Sequence, residues 1–277
     1  MENKKHKWSL FLVSLPVMIW TLIPVLWILS LAIRPQSELG SRKFIPETFS
    51  LENFKLVLTG NASDLFLPSL RNSIIVGLSA TVISVVLATF CAYAIARLDF
   101  PGKKAILFTS LTVSFFPVIS LVTPLFDLWR KIGLFDTIPG LIIPYLSLTL
   151  PLSIWVLSAF FQQIPWEMEH AAQVDGATAW QAFWKVIVPL AAPGVFTTAI
   201  ITFFTAWNDF VFAISLTSEG ARTVPAALSF FTGASAFEQP TGAISAAAVI
   251  VTIPVVLLVL FFQRHIVAGL TSGAVKG

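Results

Sequence analysis

Six stretches of this chain carry no charged residue and are long enough to cross a bilayer: Trp8–Ile33, Asn72–Ala96, Ala105–Phe126, Thr137–Trp166, Val186–Asn208 and Gln239–Gln263. A hydrocarbon core about 30 Å thick needs about 20 helical residues at 1.5 Å each. Each run therefore predicts one membrane-spanning helix, with the polar end of the fourth, from Phe161, outside the lipid. Composition agrees. Of the 277 residues 56% are hydrophobic and 11% charged, against about 25% charged in soluble domains. A soluble core cannot absorb that much apolar surface. Pro16, Pro24, Pro117, Pro124, Pro144, Pro151 and Pro254 all lie inside the runs. Such prolines are tolerated where neighbouring helices satisfy the freed carbonyls. The expected fold is an all-α membrane protein whose six helices pack around a cavity.

An even number of spans puts both termini on one side. Lys4, Lys5 and Lys7 before the first run, and Arg97, Lys103 and Lys104 between the second and third, mark that side as cytoplasmic. The first run, 26 residues long, exceeds a signal-peptide core, so it is expected to stay as a span. The expected organisation is residues 1–33 as N-terminus and first helix, 34–70 as an outside loop, 71–263 as a five-helix core, and 264–277 as a cytoplasmic tail.

Several functions are excluded. The net charge of +3 comes with no basic stripe, which argues against nucleic acid. Cys91 stands alone, so it forms no internal disulfide and reads as a small buried apolar residue. His6, His170 and His265 are scattered, and metal ligands need clustering. No G-x-x-x-x-G-K-[ST] phosphate loop occurs, so ATP is not bound here through a Walker site. No Ser, His and Asp set suggests an enzyme.

One segment between spans is too polar for lipid and too patterned for a plain loop. It runs from Ile164 to Thr178. Pro165 suits the start of a helix, where its missing N–H costs nothing. Glu167 and Glu169 follow in the first turn, favoured by the helix dipole. Met168, Ala171 and Ala172 share a face that another surface can approach closely. Gly176 is the expected stop, and Thr178 with Gln181 fits a capping box for a second helix. Trp180, Phe183, Trp184 and Ile187 form the apolar stripe of that helix, which enters the membrane near Pro189. The segment then reads as a short helix, a turn, and a rigid link into the fifth span. Periodicity leaves two readings open: a helix that couples a partner to that span, or an amphipathic helix on the headgroups. The acidity of the helix fits the second poorly.

Glu169–Ala177, followed by Val188-Pro189-Leu190, resembles the EAA loop of binding-protein-dependent ABC importer permeases. The family pattern is roughly E-A-A-x-x-D-G-A and then an L-P or P-L pair. Ala171, Ala172, Asp175, Gly176 and Ala177 match. His170 stands where the leading Glu is usual, and Glu169 precedes it. Trp207-Asn208-Asp209 and the C-terminal stretch from Phe262 to Gly277 resemble the sugar branch, and the likeness extends from Pro24-Val25-Leu26-Trp27 to the end. It is nearest to the second permease of trehalose- and maltose-type disaccharide importers.

The resemblance implies a type I ABC importer permease fold in a prokaryotic cytoplasmic membrane. It implies a second homologous permease, two cytoplasmic ATPase subunits that bind ATP and Mg, an extracytoplasmic solute-binding protein, and a sugar such as trehalose, maltose or a related glucoside. Glu169, His170, Ala171, Ala172, Asp175, Gly176 and Ala177 would then dock on an ATPase. The chain itself would hold no cofactor and no catalytic site.

Asp209 is the acidic residue at the outer end of the fifth run. Three roles stay open: contact with substrate or pathway, a helix–helix hydrogen bond, or a place at the water boundary. Asn208 and Asp209 are expected to line the pathway or contact substrate, as the better polar pair, because adjacent helical positions diverge by about 100° and Trp207 points elsewhere. The rival function is a secondary transporter driven by an ion gradient. That would need ionisable residues in several spans, and this chain offers essentially Asp209.

Overall fold

The computed structural model describes residues 2–231 and 240–274, with side chains from Ser14 to Phe231 and from Pro240 to Phe262. Every regular element among them is helical. The helices are α1 (Glu2–Ala32), α2 (Glu52–Leu58), α3 (Ser63–Arg97), α4 (Lys103–Ser114), α5 (Val118–Ile132), α6 (Ile138–Gln163), α7 (Trp166–Val174), α8 (Ala179–Ala182), α9 (Val188–Leu190), α10 (Ala192–Trp207), α11 (Val211–Leu216), α12 (Val224–Leu228) and α13 (Thr241–Ala274).

Four of the expected runs are single helices of spanning length and hydropathy, within α1, α3, α6 and α13. The other two are bent pairs. The third run breaks between α4 and α5 with an 89° bend, and the fifth bends by 72° between Ala179–Leu190 and Ala192–Trp207. If each bent pair is one span, the total is six. Proline explains both breaks. Pro117 stands at the start of α5 in extended conformation, and Pro193 in the first turn of α10 has no N–H to offer the preceding turn. The last helix runs past Gln263 into the expected tail. Its side chains from 263 onward, and residues 275–277, lie outside the described residues.

The chain divides into two compact units, one within residues 1–68 and 227–254, the other within 69–226 and 255–277. In the first, the expected loop after α1 is organised by two polar side chains. Arg34 is fully buried, lies 5.1 Å over the Trp27 ring, and donates to Ser30 Oγ at 3.0 Å and Ser41 O at 2.8 Å. Asn53 Nδ2 donates to Ala32 O at 3.1 Å and Arg34 O at 2.7 Å. It thereby satisfies carbonyls that the end of α1 leaves open.

In the second unit, α3, α5, α6, α10 and α11 share a core that includes Val76, Trp129, Tyr145, Ala206 and Phe212. A second cluster joins Ala88 and Ala92 of α3 to Leu157 and Phe161 of α6 and to Ile187 and Ala191. Between them runs a buried hydroxyl ladder. Thr149 Oγ1 donates to Ser84 Oγ at 3.1 Å, and the Ser153 and Thr202 hydroxyls meet at 3.1 Å. Hydroxyl bonds of this kind join helices in lipid, each by about 1 kcal/mol. α10 crosses α6 at Gly194, where a Cβ would sit 2.4 Å from Phe160 Cγ. Cys91 departs from expectation: it is exposed. Ala88 and Ala92 take the buried face of α3, and Cys91, one position from Ala92, falls on the outer one.

Candidate functional site

The segment after α6 folds as its residues require. Pro165 caps α7 in extended conformation, and Glu167 and Glu169 occupy the first turn. The helix ends in a Schellman pair: Gly176 N–H donates to Gln173 O at 3.0 Å and Ala177 N–H to Ala172 O at 2.9 Å. Gly176 adopts φ +91°. A Cβ there would meet nothing within 4 Å, so the backbone, not space, requires glycine within this chain. The capping box follows. Gln181 N–H donates to Thr178 Oγ1 at 3.2 Å, and Thr178 N–H to Gln181 Oε1 at 2.9 Å.

The seven residues singled out in this segment do not share one environment. His170, Ala171, Asp175 and Gly176 are exposed, and Ala172 and Ala177 are half-buried. The Met168–Ala171–Ala172 face is therefore open. Met168, Pro165, Leu190 and Pro193 also help line an apolar hollow of about 350 Å³. Glu169 is the exception: it is buried. Its Oε1 accepts the Tyr93 hydroxyl at 2.6 Å, and its Oε2 lies 3.9 Å from Arg97 Nε. Arg97 Nη2 donates to Ile164 O at 2.7 Å, and its guanidinium stands 4.5 Å over the Trp166 ring. The carboxylate expected to face a partner is thus turned into its own chain.

Nor is the link to the next span a rigid rod. Between α8 and α9 the helix widens to a π turn over Phe183–Ile187, and beyond Leu190 it bends. Phe183 and Ile187 are buried. Trp180 and Trp184 stay largely exposed, but both lie against Phe90, with centroids at 6.0 and 5.9 Å.

Beside the N-terminal part of α3, the acceptor is Asp136, in the loop before α6. Its carboxylate takes the N–H groups of Ser218, Glu219, Gly220 and Ala221 at 2.8, 3.2, 3.0 and 3.0 Å. Burial pushes its pKa up, but these four backbone donors outweigh that and hold it below the usual value. Asp136 itself adopts φ +58°, a conformation Asp tolerates better than most residues. Asn72 Nδ2 donates to Gly220 O at 2.9 Å and Arg222 O at 3.1 Å, and Ser73 Oγ accepts Val224 N–H at 2.8 Å.

Asn208 and Asp209 diverge. Asp209 Oδ2 accepts the Tyr145 hydroxyl at 2.8 Å and the Ala213 N–H at 3.1 Å, so it ties α6 to the first turn of α11. Asn208 is exposed, and its amide donates to Phe204 O on its own helix at 2.9 Å. Trp207 is buried and stacks on Phe203 at 5.1 Å. Among the described residues no group of three His, Cys, Asp or Glu is placed to hold a metal. Sequence reasoning missed Tyr93, Arg97, Asp136 and Tyr145. The local signals were Arg97 and Asp136, charges that border uncharged runs.

Comparison with known proteins places this geometry. Residues 81–272 match the family described as binding-protein-dependent transport system inner membrane component, and the chain belongs to that family. It is 56% identical over 259 residues, covering 93% of each chain, to the trehalose transport system permease protein SugB of Mycobacterium tuberculosis. It is 39% identical, covering 92% of each, to the trehalose/maltose transport system permease protein MalG of Thermococcus litoralis. In fold it resembles a bacterial ABC transporter involved in the import of the acidic polysaccharide alginate, with a TM-score of 0.77 at 23% identity over 95% of this chain and 98% of that one. The fold is that of a type I ABC importer permease.

Proposed function

We propose that this chain is one of two permeases of an ATP-driven importer that carries a disaccharide of the trehalose and maltose class across the cytoplasmic membrane. The observation that carries this reading is the 56% identity over 93% of both chains to a trehalose permease. Two cytoplasmic ATPase subunits would bind ATP and Mg, a homologous permease would complete the path, and a solute-binding protein would deliver the sugar from outside. Both termini, and with them α7, lie in the cytoplasm on this reading. α7 then docks on an ATPase through its open face, with His170, Ala171, Ala172, Asp175, Gly176 and Ala177 at or beside the contact. Asn208 remains open to the path, while Asp209 holds α6 and α11 in place beside it. ATP binding would switch the bundle between inward-open and outward-open states, and a nearly complete shift takes about 5.5 kcal/mol of preference.

Uptake by the full complex in proteoliposomes, against a panel of labelled disaccharides, tests this. Trehalose or a close glucoside should be accumulated only with ATP inside and the binding protein outside. Accumulation driven by an ion gradient without the ATPase would overturn it in favour of a secondary transporter.

A further inference from the structure

From its sequence, α7 passes a displacement forward along the chain into the fifth span. That route is soft. It leads through the left-handed turn at Gly176, a four-residue helix, a π turn and a 72° bend. Each is a place where backbone rotation can absorb movement. A second route leads sideways and is short. Tyr93 and Arg97 are four residues apart on α3 and so share a face. That face meets Glu169 through one hydrogen bond and one ion pair, with Arg97 also holding Ile164 O and the Trp166 ring at the start of α7. The side chains of Arg97 and Glu169 are 2% and 7% exposed, so water does not weaken the contact as it would on a surface.

We propose that Tyr93, Arg97 and Glu169 are positioning residues that join α7 to α3, so that a displacement of α7 by its ATPase partner reaches the second span directly as well as the fifth. This rests on the reading of α7 as the ATPase-docking helix. The contact is unfinished in this conformation. Arg97 Nε and Glu169 Oε2 are both buried without a hydrogen-bond partner, 3.9 Å apart. Leaving a buried ion pair short of hydrogen-bond distance is costly. An approach of about 1 Å would bring them to hydrogen-bonding distance, which leaves the pair room to tighten when α7 moves.

The test uses the full complex with its binding protein in proteoliposomes and reads sugar moved per ATP hydrolysed. Arg97→Ala and Glu169→Ala should each lower the ratio at least about fivefold, the lower end of usual coupling effects. The double variant should be no worse than the more severe single one, because both remove the same contact. The exchanged pair, Arg97→Glu with Glu169→Arg, should recover part of the loss, which a role in folding alone would not produce. Glu169→Gln and Tyr93→Phe are near-isosteric and keep the test open if the alanine variants assemble poorly; each should lower the ratio by a smaller factor. Unchanged ratios in these two variants would overturn the proposal. So would poor assembly of the single variants with no rescue by exchange, since the contact would then be structural only. If the wild-type complex shows no binding-protein-stimulated hydrolysis, the reading of α7 as the ATPase-docking helix fails, and the proposed role of this contact falls with it.

Discussion

In the N-terminal part of α3, Asn72 bridges the carbonyls of Gly220 and Arg222 and Ser73 accepts the Val224 N–H; beside them Asp136, from the loop before α6, gathers four successive amides. At the C-terminal end of α3, Tyr93 and Arg97 reach Glu169 through one 2.6 Å hydrogen bond and one ion pair left at 3.9 Å. The orphan near the first end is the neutral hydroxyl of Thr223; at the second, both orphans are charged. A cluster whose charged group is fully satisfied has little to gain from a second arrangement. A buried pair held just beyond hydrogen-bond distance has more. One end of the helix is built to stay, and the other to change.

The largest effect is expected where the pairing is most complete. Asp136→Ala leaves four amides without their charged acceptor and puts Ala at φ +58°, for a combined cost of about 3 kcal/mol. Thermal unfolding of the purified complex would read it. Asp136→Asn tolerates the backbone and should cost less. Because the native pKa of Asp136 is lowered, its charge stabilises the fold above the unfolded value, near 3.9, and that contribution is lost as pH falls through the native value. The stability gap between wild type and Asp136→Asn should therefore hold from neutral pH down to about 4 and shrink below it.

Asp209→Ala ranks next. It strands the buried Tyr145 hydroxyl and the Ala213 amide, at about 2 kcal/mol. Unfolding should report that loss while uptake by the assembled complex persists. Loss of uptake at normal stability would instead assign the carboxylate to the sugar path.

A smaller loss is expected at the changing end. Gly176→Val forces a β-branched residue to φ +91°, with strain of about 1–2 kcal/mol, and should lower sugar moved per ATP. Gly176→Asn, better suited to that region, should lower it less. Equal effects would point to a partner surface crowding the position rather than to the backbone. Thr178→Ala removes the capping box and costs about 1 kcal/mol. Circular dichroism with unfolding should show it as the mildest of the series.

The difference between the ends also explains what could be read from residue order. Spans are local facts: a run of 22 uncharged residues such as Ala105–Phe126 declares itself. The stop at Gly176 and the box at Thr178 and Gln181 depend on neighbours within five positions, and both are present as expected. The bends were largely invisible: Pro117 was noted inside its run without being read as a break, and Pro193 was not singled out. Contacts between distant residues were invisible. Glu169 meets Tyr93 across 76 positions, and Asp136 meets Ser218 across 82. Nothing periodic in α7 distinguishes an inward Glu169 from an outward His170. Cys91 was misjudged for the same reason: an apolar run shows that a helix is in lipid, but not which of its faces is turned inward.

Hydrogen exchange on the assembled complex, followed with and without ATP, compares the two ends most directly. Amides of residues 218–221, held by Asp136, should stay protected to the same degree in both conditions. Amides of residues 93–97 and 164–174 should change protection together when ATP binds. Equal change at both ends, or change in 164–174 without change in 93–97, would contradict the claim that α7 and α3 move as one.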